Sequence, residues 1–232
     1  MATIASRLQR TRHRVDQACA ASGRPAQSVT LLAVSKTCPA GRIREAFAAG
    51  QTRFGENYVQ EALAKMRELS DLRGAIEWHL IGPLQANKTR AVAEHFDWVH
   101  SVDRLRLAER LSAQRPPGLG ALQVCLQVNI SGEASKSGLA AADVPGVARA
   151  VAALPGLRLR GLMAIPEPAI DVEAQRAPHR QLRELLAALQ RDGLALDTLS
   201  IGMSADLEAA IAEGATLVRV GTAIFGERAL AA

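Results

Sequence analysis

Few residues in this 232-residue chain combine a reactive type with a setting that would activate it, and Lys36 is the foremost of them. It closes the run VTLLAVSK at 29–36, a β-branched and aliphatic stretch that reads as a strand buried on both faces. Thr37, Cys38 and a helix-opening Pro39 follow at once. Burial against apolar neighbours favours the neutral form of a lysine and frees the amine as a nucleophile toward a carbonyl. The same position also suits a lysine that snorkels to solvent or pairs with an acid.

Toward the other end of the chain, Gly202, Met203 and Ser204, and again Gly221 and Thr222, set glycine beside hydroxyl donors. Glycine lets backbone N–H groups approach an anion, and the hydroxyls add hydrogen bonds, so the two loops suit a phosphate. Two features compete: Ser204 can cap the following helix, and Asp206 would repel an anion. Arg219 alternates with Leu217 and Gly221 and shares their face. A buried arginine needs a partner, either an acid such as Glu56 or a ligand's ring nitrogen or carboxylate. An amine, a phosphate cup and an arginine describe a ligand with an aldehyde, a phosphate and a heteroatom between them. Pyridoxal 5′-phosphate has all three.

These residues need a frame, and the patterning supplies one. Strand-like runs at 29–36, 53–57, 77–82, 98–102, 122–130, 157–165, 198–203 and 216–221 alternate with helical stretches. Connections of that length demand parallel strands, and eight such units are the count that closes a (β/α)8 TIM-like barrel. Lys36, Asn57, Met203, Ser204, Gly221 and Thr222 then all fall at C-terminal strand ends, where barrels place their sites. A helix over residues 1–21, with Ile4, Leu8, Val15 and Cys19 on one face, precedes the first strand and is expected to pack on the barrel rather than to act as a targeting segment. No linker divides the chain, so 1–232 reads as one barrel domain.

Composition excludes other classes. Apolar residues make up 48% and charged residues 22%, as in a globular protein with a sizeable core. No apolar run is long enough to span a bilayer. The net charge is +5, but basic residues are dispersed and only seven aromatics are available for stacking, which argues against nucleic acid. Cys19, Cys38 and Cys125 are odd in number and far apart, as in a reduced cytoplasmic protein without a metal site. Against 24 arginines there are four lysines, at 36, 65, 88 and 136.

The motifs LAVSKT (32–37), FGENYVQ (54–60), WHLIGPLQANK (78–88), SKSG (135–138), GLMA (161–164), SIGMS (200–204) and VRVGTAIFG (218–226) resemble, in order and over about 4–228, the pyridoxal phosphate homeostasis proteins. These in turn resemble the N-terminal barrel domain of alanine racemase. The resemblance implies that Lys36 forms a Schiff base with pyridoxal 5′-phosphate, with Asn57 near the ring and Arg219 facing the pyridine nitrogen. It implies a phosphate site of Ser200, Met203, Ser204, Gly221 and Thr222, and a role for Lys136 in cofactor transfer. Ile201 stands where the family often has methionine, a conservative departure.

An arginine opposite the ring nitrogen keeps that nitrogen unprotonated and makes the ring a weaker electron sink. The racemases with this arrangement are implied to use a second base, a tyrosine from another domain and a partner subunit. Here the chain ends at Ala232 and the only tyrosine is Tyr58, after the second strand. The expectation is a monomeric cytoplasmic carrier acting in vitamin B6 homeostasis, meeting pyridoxal-phosphate-dependent apoenzymes transiently. A low-activity racemase or decarboxylase is the alternative; a lysine aldolase fits the spacing but not the motifs.

Overall fold

The computed structural model of the protein describes residues 2–132 and 137–226. Its strands are β1 (Thr30–Val34), β2 (Arg53–Glu56), β3 (Glu77–Leu80), β4 (Trp98–Val102), β5 (Leu122–Gln127), β6 (Leu157–Met163), β7 (Thr198–Ser200) and β8 (Leu217–Val220). All pair in parallel with their sequence neighbours, and β8 pairs with β1 through Thr30–Leu217 to Ala33–Val220, closing the barrel. The expected (β/α)8 architecture is therefore the observed one.

The helices are α1 (Ile4–Ala21), α2 (Ala40–Ala48), α3 (Val59–Glu68), α4 (Thr89–His95), α5 (Leu105–Gln114), α6 (Val144–Ala152), α7 (Val172–Arg191), α8 (Leu207–Ala212) and the single turn α9 (Thr222–Phe225). Because α9 is so short, it cannot cover the β8–β1 seam as a full crossover helix would. The N-terminal helix takes that place, packing against α2, α8 and α9. It buries the anticipated stripe of Ile4, Leu8, Val15 and Cys19, with Thr11 and Ala18 beside it. Thr3 caps it, its hydroxyl accepting from the Ser6 N–H at 3.2 Å. Among the described residues no helix is long and apolar enough to cross a membrane.

Several strands stop sooner than their apolar patterning suggests. β1 ends at Val34 instead of Lys36, and β7 at Ser200 instead of Met203. In each case the backbone turns into the left-handed region just beyond, at Thr37 (φ 60°) and at Gly202 (φ 89°). Periodicity reports which side chains are buried, and it does not report where the backbone leaves the extended region.

The main apolar core lies between strands and helices. Inside the barrel are two small apolar clusters, Leu32, Val34, Ile81 and Leu217, and Trp98, Cys125 and Met163. Between them run fully buried polar groups: His79, His100, Ser200 and Arg219.

Candidate functional site at the C-terminal mouth

A cavity of about 310 Å³ opens at the C-terminal ends of the strands. Its wall includes Lys36, Asn57, Met203, Ser204, Arg219, Gly221 and Thr222, with Val34, Ile81 and Ile165 as apolar surfaces. Seven of the eight residues expected to hold a cofactor thus meet in one place.

Lys36 is half-buried, in the turn after β1, rather than enclosed in the strand. The residue after it, Thr37, has φ 60°. A β-branched residue there is strained by roughly 1–3 kcal/mol, so the surroundings must enforce the conformation. They do so from α3 and β2. Lys65 Nζ donates to the Ser35 carbonyl at 2.8 Å and to Glu56 Oε1 at 2.7 Å. The Ser35 hydroxyl donates to the same Glu56 oxygen at 2.6 Å. Glu61 Oε1 accepts from the Thr37 N–H at 2.5 Å and pairs with Lys65 at the same distance. The residues either side of Lys36 are therefore pinned by one buried ionic cluster. Burial pushes the Glu56 carboxyl up, against the pull of Lys65 and the hydrogen bonds to its Oε1. Its Oε2 has no hydrogen-bond partner.

Asn57 follows β2, and its backbone comes close to Gly82. A Cβ on Gly82 would lie 2.3 Å from the Asn57 carbonyl oxygen, so only glycine permits this approach.

Arg219 enters from β8 and is 4% exposed. Its Nη1 donates to the Ser200 carbonyl at 2.5 Å and to the Ser200 hydroxyl at 2.9 Å, and its Nη2 donates to the Ala164 carbonyl at 2.9 Å. Neutral acceptors thus anchor it, and Glu56 does not; Glu56 is engaged by Lys65 and Ser35. Burial lowers the Arg219 pKa to about 10, still a cation near neutrality. These three bonds leave two of its five N–H donors for whatever occupies the cavity. Ser200 does not line that cavity; it lies below, between Arg219 and His100.

The loops after β7 and β8 complete the wall. Asp206 Oδ1 accepts from the Met203 N–H at 2.7 Å, and Oδ2 bonds His179 Nε2 at 2.9 Å. Burial acts to raise the Asp206 pKa, but His179 and the Met203 N–H outweigh it and hold the carboxyl below its usual range. Both oxygens are thus occupied. Ser204 does not cap α8, whose N-cap is Asp206. Arg14 of α1 instead donates to the Ser204 carbonyl at 2.8 Å, so the N-terminal helix helps to place this loop. Among the described residues, the hydroxyls of Ser204 and Thr222 have no protein hydrogen-bond partner, and both line the cavity. Unpaired hydroxyls and a half-used arginine are what an anionic, heterocyclic ligand would engage. Lys136 lies outside the described residues.

The ionic cluster behind Lys36 is not evident from sequence. Lys65 reads as a surface position of an amphipathic helix, and its one distinguishing signal is the scarcity of lysine in the chain.

The family model "Alanine racemase, N-terminal domain" matches residues 6–229. A pyridoxal phosphate homeostasis protein of Pseudomonas aeruginosa is 62% identical over 228 residues, spanning 98% of this chain and 97% of that one. The protein of the same name from Escherichia coli is 54% identical over 229 residues, 98% of each chain. Among solved structures, PipY of Synechococcus elongatus with PLP bound superposes with a TM-score of 0.85 at 44% identity, over 97% of this chain and 100% of that one.

Proposed function

Because the chain belongs to the pyridoxal phosphate homeostasis proteins, within the alanine racemase N-terminal domain family, we propose that it binds pyridoxal 5′-phosphate in the C-terminal cavity and acts in intracellular vitamin B6 homeostasis. The observation that carries this reading is the convergence of Lys36, Arg219, Ser204, Gly221 and Thr222 on one wall from three separate strand ends. When bound, the cofactor supplies an electrophilic aldehyde. Lys36 is the residue whose amine would hold the cofactor there, as a Schiff base. The hydroxyls of Ser204 and Thr222, with backbone beside Gly221, bind the phosphate. Arg219 would face the ring nitrogen with one of its remaining donors, and Asn57 would lie near the ring. Ser200 acts indirectly, by fixing Arg219. Lys136 serves as a second, transient attachment point during transfer.

Holding the cofactor, rather than turning over amino acids, is the role the wall favours. Among the described residues lining the cavity, Lys36 is the one amine, and no histidine, tyrosine or carboxylate shares the wall. Tyr58 is 57% exposed and lies outside it. Efficient inversion at carbon needs a base on each face, and this wall offers one. The protein then works as a single barrel domain, a cytoplasmic monomer that meets apoenzymes in passing. Cofactor-loaded protein incubated with L-amino acids tests the role: chiral inversion should be negligible. Rapid inversion abolished by Lys36→Ala would instead establish a racemase.

A further inference from the structure

A chain of hydrogen bonds runs through the barrel from the cavity to the opposite mouth. Arg219 Nη1 donates to Ser200 Oγ at 2.9 Å, and Ser200 Oγ lies 2.8 Å from His100 Nδ1. His100 Nε2 is 2.9 Å from His79 Nδ1, and His79 Nε2 is 2.8 Å from Glu77 Oε1. Glu77 is partly exposed and belongs to the wall of a cavity of about 680 Å³ at the N-terminal strand ends, as do His79 and Trp98. The His79 ring is stacked on Trp98 (centroids 5.3 Å apart, planes 12° apart), and Arg160 covers Trp98 with its guanidinium 4.7 Å from a ring centroid.

The donors in this chain can be ordered from either end, and both ends give the same order. Glu77 is ionised: burial acts against it, but His79 and Arg53 hold its carboxyl below the usual range. A carboxylate only accepts, so His79 Nε2 must carry a proton. Burial keeps both rings neutral, more strongly for His100. His79 Nδ1 is therefore an acceptor, His100 Nε2 a donor, and His100 Nδ1 an acceptor for the Ser200 hydroxyl. From the other end, an arginine only donates, so Ser200 Oγ accepts from Arg219 and its single hydrogen is free for His100. The reverse order would direct a hydroxyl hydrogen toward the guanidinium, with no acceptor there.

We propose that Glu77, His79, His100 and Ser200 form a one-way donor chain that fixes the orientation of Arg219 from the far mouth of the barrel, making Glu77 and the two histidines positioning residues for the group Arg219 faces. This rests on the cofactor reading above. The chain uses every nitrogen of two buried imidazoles, and none of its histidine or glutamate members touches the C-terminal cavity. It keeps the two free guanidinium donors directed to the ligand by tying up the other side of the group.

The test pairs two measurements. In 15N–1H spectra of the unaltered protein, His79 and His100 should both appear as neutral rings protonated on Nε2. A proton on Nδ1 of either ring overturns the proposal without any variant. Pyridoxal 5′-phosphate is then titrated, by visible absorption, into the unaltered protein, Glu77→Ala and Glu77→Gln. Glu77→Ala removes the terminal acceptor and leaves the His79 Nε2 proton without its partner, so the far end of the chain is no longer anchored. It should weaken binding about threefold to tenfold and shift the bound absorption band. Glu77→Gln, which can still present a carbonyl oxygen to His79, should restore both. A merely structural role would lower the melting temperature of Glu77→Ala without moving the band or the affinity, and that result overturns the inference while leaving the cofactor reading intact. Failure of the unaltered protein to bind pyridoxal 5′-phosphate overturns both.

Discussion

Lys65 Nζ lies 2.7 Å from Glu56 Oε1 in a pocket where both side chains are almost wholly buried, and the same ammonium holds the Ser35 carbonyl, one residue before Lys36. The backbone beside Lys36 is thus held by another lysine, from the helix that follows the next strand. A charge pair so enclosed contributes little net stability, because desolvation offsets most of the attraction, but losing one partner is costly.

Replacing Lys65 with methionine should therefore destabilise the protein by about 3–5 kcal/mol, since Glu56 would keep its burial and lose its counter-charge. Urea denaturation measures this. Adding Glu56→Gln to Lys65→Met should recover much of the loss. A double variant no more stable than the single one would show that the pair is not the relevant unit.

Gly202 directs the chain from β7 into the loop carrying Met203 and Ser204. Its φ is 89°, and a Cβ placed there would lie 2.5 Å from the Ala210 Cβ. Gly202→Ala should cost roughly 1–3 kcal/mol and weaken phosphate-dependent binding, because the loop must move to admit the methyl group. Thermal unfolding, and competition by inorganic phosphate against the cofactor, report the two effects separately. A variant with unaltered stability would contradict the close packing of this turn against α8.

Buried neutral histidines make stability depend on pH. The His100 pKa is pushed well below the ordinary value, first by burial and then by His79 and Arg219. Its folded pKa is thus below its unfolded one. The stability it contributes is complete above the unfolded value near 6.5 and falls as pH drops toward the folded value, because the unfolded chain binds the extra proton. Glu56 runs in the opposite sense, its raised pKa giving stability that is lost as pH rises through the folded value, so the ring is isolated by difference. Between pH 6 and 5, stability should fall less steeply in His100→Gln than in the unaltered protein, by up to about 1.4 kcal/mol per pH unit. Equal slopes would mean that the ring is protonated in the fold.

Much of this arrangement is legible in the amino-acid sequence. β-branched runs at long spacing mark the barrel, because parallel strands buried on both faces need such runs and their crossovers need such lengths. Lys36, Arg219 and the two glycine–hydroxyl loops are legible as well, since each sits at or near a strand end where period and breaker coincide. Three features escape that kind of reading. Lys65 looks like a solvated helix position paired with its i,i+4 neighbour Glu61, and Glu56 is recognisable as a partner only once α3 is laid on β2. His100 and Ser200 bond at 2.8 Å across 100 residues of chain, a contact that no local pattern encodes. The strand ends at Val34 and Ser200 escape it too, because apolar periodicity does not report where the backbone leaves the extended region.

Every functional proposal above depends on pyridoxal 5′-phosphate being held covalently on Lys36. Reducing the cofactor-treated protein with borohydride and mapping the added mass by peptide spectrometry tests it most directly. The visible absorption band should be lost on reduction, with the adduct on the peptide containing Lys36, and no such adduct at that position in Lys36→Ala. A cofactor mass found first and in full on Lys65, Lys88 or Lys136, or no adduct at all, would contradict it.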